Sequence, residues 1–415
     1  MQPLKLTIYG GFWDCQIYMG RLYLWDCNGK LMVLDWNEIV ESFIEDDDNR
    51  LALWCAFVKG NYLYGHHDVF ADKEFKELLL KKFKRIERIK REAEISELSN
   101  FLFGEQDNPF RELPTDTEIS SKTLFGITDD GFWKVSAHRL KSAKYPVSSR
   151  PIKIWDGRLL SITANRYATI ALSAGDEGLF QYDKAEFMNY DFSLQPNKKV
   201  EKGIVRLSEK HSLYNDWSTL SIFSSSDISE SYLSLFNWKD IEEDTKKISF
   251  SEIISENAIF DNASINGGLS WGAGDKIYKA DKNKILVSRF NNYAKFEERD
   301  EKYFTEPEMI KLNDLDGDII EARVCLFGTV VECENSLIVL LSNGDVFKIE
   351  EPVVQWRIYP RSRNYENHLH VIFDDRLEIY SFNHDYFVDQ YKKKFGLMYK
   401  EKETAWNNAW SHMAD

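Results

Sequence analysis

Residues 20–39, GRLYLWDCNGKLMVLDWNEI, constrain the fold of this chain more than any other stretch. Two apolar runs, Leu22–Trp25 and Leu31–Leu34, flank Asn28-Gly29. That pair tolerates the positive φ of a type I′ turn, whose twist matches the strands it joins. Leu22 and Leu24 fall on one face of the first run and Tyr23 and Trp25 on the other, so neither face is polar. A strand pair of this kind has to be covered on both sides.

Similar units recur at residues 60–71, 123–137, 168–182, 219–238, 268–279, 337–349 and 369–382, most with Gly, Asn or Asp at the turn. LIVLLSNGDVFKI, at 337–349, repeats the Asn-Gly turn of the first unit. The spacing is roughly 40–50 residues apart from longer gaps that hold insertions, the period of four-stranded propeller blades. With 12 Trp, 20 Tyr and 27 Phe in 415 residues, the chain has the aromatic content for many half-buried strands. A weak echo accompanies the period: Leu34-Asp35-Trp36-Asn37-Glu38-Ile39 and Phe236-Asn237-Trp238-Lys239-Asp240-Ile241 each end a hairpin in Asx-Trp before an acidic connection. On these features the chain resembles the WD40-like β-propellers in architecture. Asp-Trp replaces their Trp-Asp, and only Gly65-His66 imitates their Gly-His pair, so no particular family is implied.

The expectation is an all-β propeller over residues 1–390, seven-bladed, with six to eight blades compatible with the spacing. Residues 5–9 would join the sheet of 369–382 and remove an open edge, as closure commonly does in propellers. A pair of stacked sandwiches is the competing all-β arrangement, and alternating in/out polarity would suit it better. Two departures from the repeat stand out. Residues 72–99 carry Phe75, Leu79, Phe83 and Ile86 at helical spacing among nine Lys and Arg, which predicts an inserted helix. Residues 391–415 read as a helical tail with Trp406 and Trp410 at i,i+4.

A net charge of −15 argues against nucleic acid as a whole-surface partner. Five cysteines without C-x-x-C spacing indicate neither a disulfide framework nor a zinc site. Neither a leader pattern nor a run of the roughly 20 apolar residues of a membrane helix occurs, so a cytoplasmic location is expected. There is no G-x-S-x-G, Walker A or H-E-x-x-H motif, and no cofactor or metal is expected.

Two candidate surfaces remain. One is partner binding through Lys81, Lys82, Lys84, Arg85 and Arg88 of the inserted helix together with Trp406 and Trp410 of the tail. The same helix can equally rest its apolar stripe on a blade with its charges in water, or contact RNA. The other is a ligand surface at the channel mouth from Trp13, Asp14, Trp155, Asp156, Asp216 and Trp217, since Trp is a favoured anchor. The same Trp residues can instead fill gaps between blades. His368-x-His370 places two imidazoles on one strand face, but the nearby Asp374-Asp375 pair is better explained as turn chemistry. The expected function is that of a non-enzymatic scaffold, a subunit or adaptor of a multiprotein complex. The alternative is a propeller hydrolase or lyase using Asp14, Asp156 and Asp216 as acid–base groups.

Overall fold

The computed structural model describes residues 1–44, 46–58, 72–137, 145–164, 169–183, 204–217, 221–226, 230–242, 245–260, 268–274, 276–281, 283–289, 304–312, 315, 317–387 and 393–397. It is a seven-bladed β-propeller, with six sheets of four strands and one of five. The innermost strands of the blades, in order, are Phe12–Tyr18, Asp116–Ser120, Ser161–Ala164, Tyr214–Trp217, Leu269–Ala273, Ile319–Cys325 and Gln355–Ile358. They stand side by side around a central channel.

The apolar faces of the first hairpin have different destinations. Leu22 and Leu24 enter a core shared with the seventh blade and the insertion. Tyr23 and Trp25 pack on Ile119, Leu124 and Trp133 of the second blade. Leu337, Val339 and Leu341 likewise face the seventh blade while Ile338 and Leu340 face the fifth. Strands wedged between two neighbours need no polar side.

The Asn-Gly turns are not type I′. Asn28 keeps a negative φ and only Gly29 is left-handed, at φ 82°. The Gly29 N–H donates to Asp26 O at 3.1 Å, while the Asp26 carboxylate accepts from the Asn28 and Lys30 N–H groups. This is a three-residue loop, a type I turn followed by a glycine in the left-handed region. Asn343-Gly344 is built the same way, with Gly344 at φ 97° bonded to Leu341 O. The extra residue lets Asp26 anchor the loop.

The recurrent hairpins do not occupy equivalent places. Most are the second and third strands of a blade, but 268–279 holds the first and second and 337–349 the third and fourth. The Asx-Trp echo also fails structurally. Asp35 caps the helix Trp36–Ser42 by accepting from the Glu38 N–H, whereas Asn237-Trp238 lies inside the strand Tyr232–Glu242. The unit at 60–71 lies outside the described residues.

Closure follows the expected device. Leu4–Tyr9 pairs antiparallel with Arg376–Ser381, Leu6 opposite Ile379, and completes the seventh blade. Its other edge pairs in parallel with Glu92–Glu94 from the insertion. That insertion is larger than the sequence suggests and lies between the third and fourth strands of the first blade. It comprises Trp36–Ser42, Asp47–Leu53, a π-turn at Trp54–Val58, the helix Lys73–Ile86 and a 3₁₀ turn at Glu97–Phe101. The helix is shorter than 72–99, and Leu102–Asp107 is the blade's fourth strand. Of the tail, residues 393–397 are not helical. They cross the sixth blade, burying Phe395 and accepting at Gly396 O a bond from the buried Lys276 of the fifth. No helix among the described residues is long and apolar enough to cross a membrane.

Candidate functional site: the channel mouth

Strand alternation decides which groups reach the channel. Asp14 and Gln16 of the first inner strand point toward it, while Cys15 and Ile17 point into the core. Arg357 of the seventh blade donates from Nε and Nη2 to the two oxygens of Asp14, each at 3.0 Å, and from Nη1 to Asp116 of the second blade. Asp14 also accepts from Thr117 Oγ1 at 2.7 Å, and Asp116 from the Ile162 N–H of the third blade at 3.0 Å. Asn215 of the fourth blade donates to Ser161 O and Ser173 Oγ of the third, and Trp217 Nε1 to Thr163 O at 3.1 Å. One belt of hydrogen bonds thus joins blades seven, one, two, three and four. Arg357 stays charged, because the two carboxylates outweigh the cost of its burial.

Above this belt, at the C-terminal ends of the inner strands, opens a cavity of about 690 Å³. Its wall includes Met19, Glu118, Thr163, Asp216, Arg323 and the loop from Ile358 to Tyr365. The volume lies within the roughly 300–1,000 Å³ of ligand pockets. Arg361 pairs with Glu118 at 3.3 Å, and Arg323 with Glu321 of its own strand. Asp216 is 8% exposed, and among the described residues its carboxyl accepts from the Trp217 N–H. Burial pushes its carboxyl up to about 6, against the pull of Arg323 and Arg361. Burial raises Glu332 as well, although Trp356 Nε1 donates to it at 2.7 Å.

The six residues expected at the mouth therefore separate. Asp216 lines the cavity, Asp14 lies beneath it in the belt, and Trp217 is buried between two blades. Trp13 is partly exposed, with its indole N–H on Pro114 O at 2.8 Å. Trp155 and Asp156 are far from the channel, a correction to the sequence reading. Trp155 ends the outermost strand of the second blade and packs on Phe180, and Asp156 beyond it is exposed beside Lys153. Trp-Asp adjacency is ambiguous because it occurs at a blade rim as readily as at an inner strand. Sequence reasoning missed Asp116, Arg323 and Arg357. A signal existed in Gln-Trp-Arg-Ile, where a cation interrupts an otherwise strand-like run.

The basic helix rests on the propeller. Leu79, Phe83 and Ile86 are buried, with Phe83 stacked on Tyr386 at 6.3 Å. Lys82 donates to Asp48 O, and Arg85 pairs with Asp46 at 3.0 Å. Lys81, Lys84 and Arg88 remain exposed. Trp406 and Trp410 lie outside the described residues, as do His66, His67 and Asp68.

His368 and His370 are fully buried. His368 Nε2 donates to Ala56 O of the π-turn at 2.8 Å, an oxygen that Asn367 and Ser381 also approach. The carbonyl has no proton to give, so His368 Nδ1 accepts from His370 Nε2 at 3.4 Å. His370 Nδ1 then accepts from Tyr359 O–H at 3.2 Å. Both rings are neutral in this chain, with His368 lowered by burial to about 4. Asp374 and Asp375 are exposed at the turn and take no part. Among the described residues no three His, Cys, Asp or Glu side chains group to hold a metal ion.

No family model matches this chain, and no curated protein does. Among solved structures it is similar to Hsv2 of Kluyveromyces lactis at 15% identity, covering 68% of this chain and 77% of that one with a TM-score of 0.38. A computationally designed protein, Ika8, aligns over 92% of this chain and 100% of its own at 8% identity and TM-score 0.43. Human WBSCR16 aligns over 68% of this chain and 90% of its own at 10% identity and TM-score 0.39. At such identities a likeness concerns fold alone, and the blade count is read from the sheet topology.

Proposed function

We propose that this chain is a non-enzymatic interaction propeller, a cytoplasmic scaffold or adaptor that engages partner proteins at the channel mouth. The cavity of about 690 Å³ carries the reading, because inner-strand residues of several blades converge on it and Met19 stands half-exposed at its rim. Exposed apolar side chains beside a polar cavity are what a protein-binding surface offers. Lys81, Lys84 and Arg88 give a second, basic area for an acidic partner. The hydrolase or lyase reading loses support, since Asp156 lies at a blade rim and Asp14 is held in the Arg357 ion pair. Contact with RNA loses support because Lys82 and Arg85 are occupied by the acidic segment beside them.

The test is affinity capture from the native host with the full chain and a rim variant carrying Met19→Asn and Arg363→Ser. Asn suits the left-handed φ of 49° at Met19, so the variant is expected to fold. A partner captured by the wild type and lost by the variant is the expected result. Capture unaffected by the variant would overturn the mouth as the binding surface.

A further inference from the structure

The four arginines on the cavity wall, Arg323, Arg357, Arg361 and Arg363, suggest at first an anion site. The carboxylates beside three of them change that reading. Arg357 is matched twice, by Asp14 and Asp116, Arg361 by Glu118 and Arg323 by Glu321. Asp216 and Glu332 make no ion pair among the described residues. The cluster is electrostatically continuous, since Arg323 feels Glu321, Asp116 and Asp216 together. Asp216, more than nine-tenths buried, lines the cavity and feels Arg323 and Arg361 with no ion pair to either. A buried carboxylate that no cation bonds directly is costly, and an incoming cation relieves that cost.

We propose that the mouth receives a lysine or arginine side chain of the partner polypeptide, and that Asp216 is the residue that takes its charge. This rests on the mouth being the partner surface. Arg323 and Arg361, already bound to carboxylates, set the walls between which the cation enters.

The probe is acetyl-Ser-Gly-Arg-Gly-Ser-amide, with versions carrying lysine, citrulline or glutamate at the centre, titrated by calorimetry into the full chain. The arginine and lysine peptides are expected to bind about tenfold or more tighter than the citrulline and glutamate peptides, the scale of a charge-assisted bond. Asp216→Asn should remove that difference while the variant melts no lower than wild type, and Asp216→Glu should keep part of it. Tighter binding of the glutamate peptide, equal binding to the Asp216→Asn variant, or no peptide binding at millimolar concentration would overturn the proposal. Spermidine binding at Asp216 where every peptide fails would overturn the polypeptide source. Partner capture lost with the rim variant but kept with Asp216→Asn would sink this inference alone. Capture kept with both would sink the mouth reading itself.

Discussion

Arg357 and Asp14 meet through two parallel hydrogen bonds, each 3.0 Å, across the seam where the last blade faces the first. Asp116 takes a third nitrogen of the same guanidinium, so one cation serves carboxylates of two blades. Removing it strands both. Arg357→Met should therefore cost about 3–5 kcal/mol in urea denaturation, the scale of a broken buried pair. Adding Asp14→Asn and Asp116→Asn to that variant should recover much of the loss. A loss below about 1 kcal/mol would mean that water reaches the pair.

Asp216 reverses the usual acid dependence. Its folded-state value of about 6 lies above the ordinary 3.8, so folding favours its protonated form. Stability from this group is complete below the ordinary value and falls as pH rises to the folded one. Asp216→Asn should accordingly raise stability near neutral pH by about 3 kcal/mol, and by little in acid. Chemical denaturation at several pH values reads this directly. Arginine-peptide binding should strengthen as pH rises through 6. The charged groups that act on Asp216 are Arg323, Arg361 and Glu321.

The histidine pair acts in the opposite direction. His368 is held at about 4, and His370 well below its ordinary value by burial and by His368. Their surroundings among the described residues are Ala56 O, Tyr359, Cys15, Tyr365, Trp36 and Phe57, with no carboxylate among these contacts. The unfolded chain binds protons here from about 6.5 downward, while the native chain resists until about 4. Stability should fall across that window, by about 3 kcal/mol for His368 alone. His370→Gln should flatten the slope, as measured by melting at each pH. An unchanged slope would count against neutral rings.

In the inserted helix, stability and surface charge should separate. Phe83→Ala opens a cavity against Tyr386 and should cost about 3–5 kcal/mol. Replacing Lys81, Lys84 and Arg88 with Gln should change stability by no more than about 0.5 kcal/mol each. Loss of a captured partner in the triple Gln variant would locate a second interface on this helix.

The architecture was legible because central blade strands such as Leu22–Trp25 and Leu337–Leu341 are apolar on both faces, and because Asn-Gly turns punctuate the chain. The closing strand was legible because a propeller's open edge calls for pairing. The turn type was not, since Asn28-Gly29 fits more than one loop and the Asp26 side chain, one residue before Cys27, selects between them. The site was legible only in part. Asp14 and Asp216 were found, but Arg357, which pairs with Asp14, and Arg323, whose charge acts on Asp216, lie over 100 residues away in sequence, on strands that only ring closure brings near. Trp155-Asp156 misled because a dipeptide does not record its distance from the channel.

The strand Leu4–Tyr9 is gripped on both edges, by Arg376–Ser381 and by Glu92–Glu94. Lys5 and Glu378, which bond across the first of these, are 373 residues apart. A ribosome adding roughly 5–20 residues per second needs on the order of 20–75 s to cover that interval. The parallel partner in the insertion emerges within about the first quarter of it. During synthesis the insertion thus offers the waiting strand an early mate, shielding an apolar edge that would otherwise invite neighbouring nascent chains.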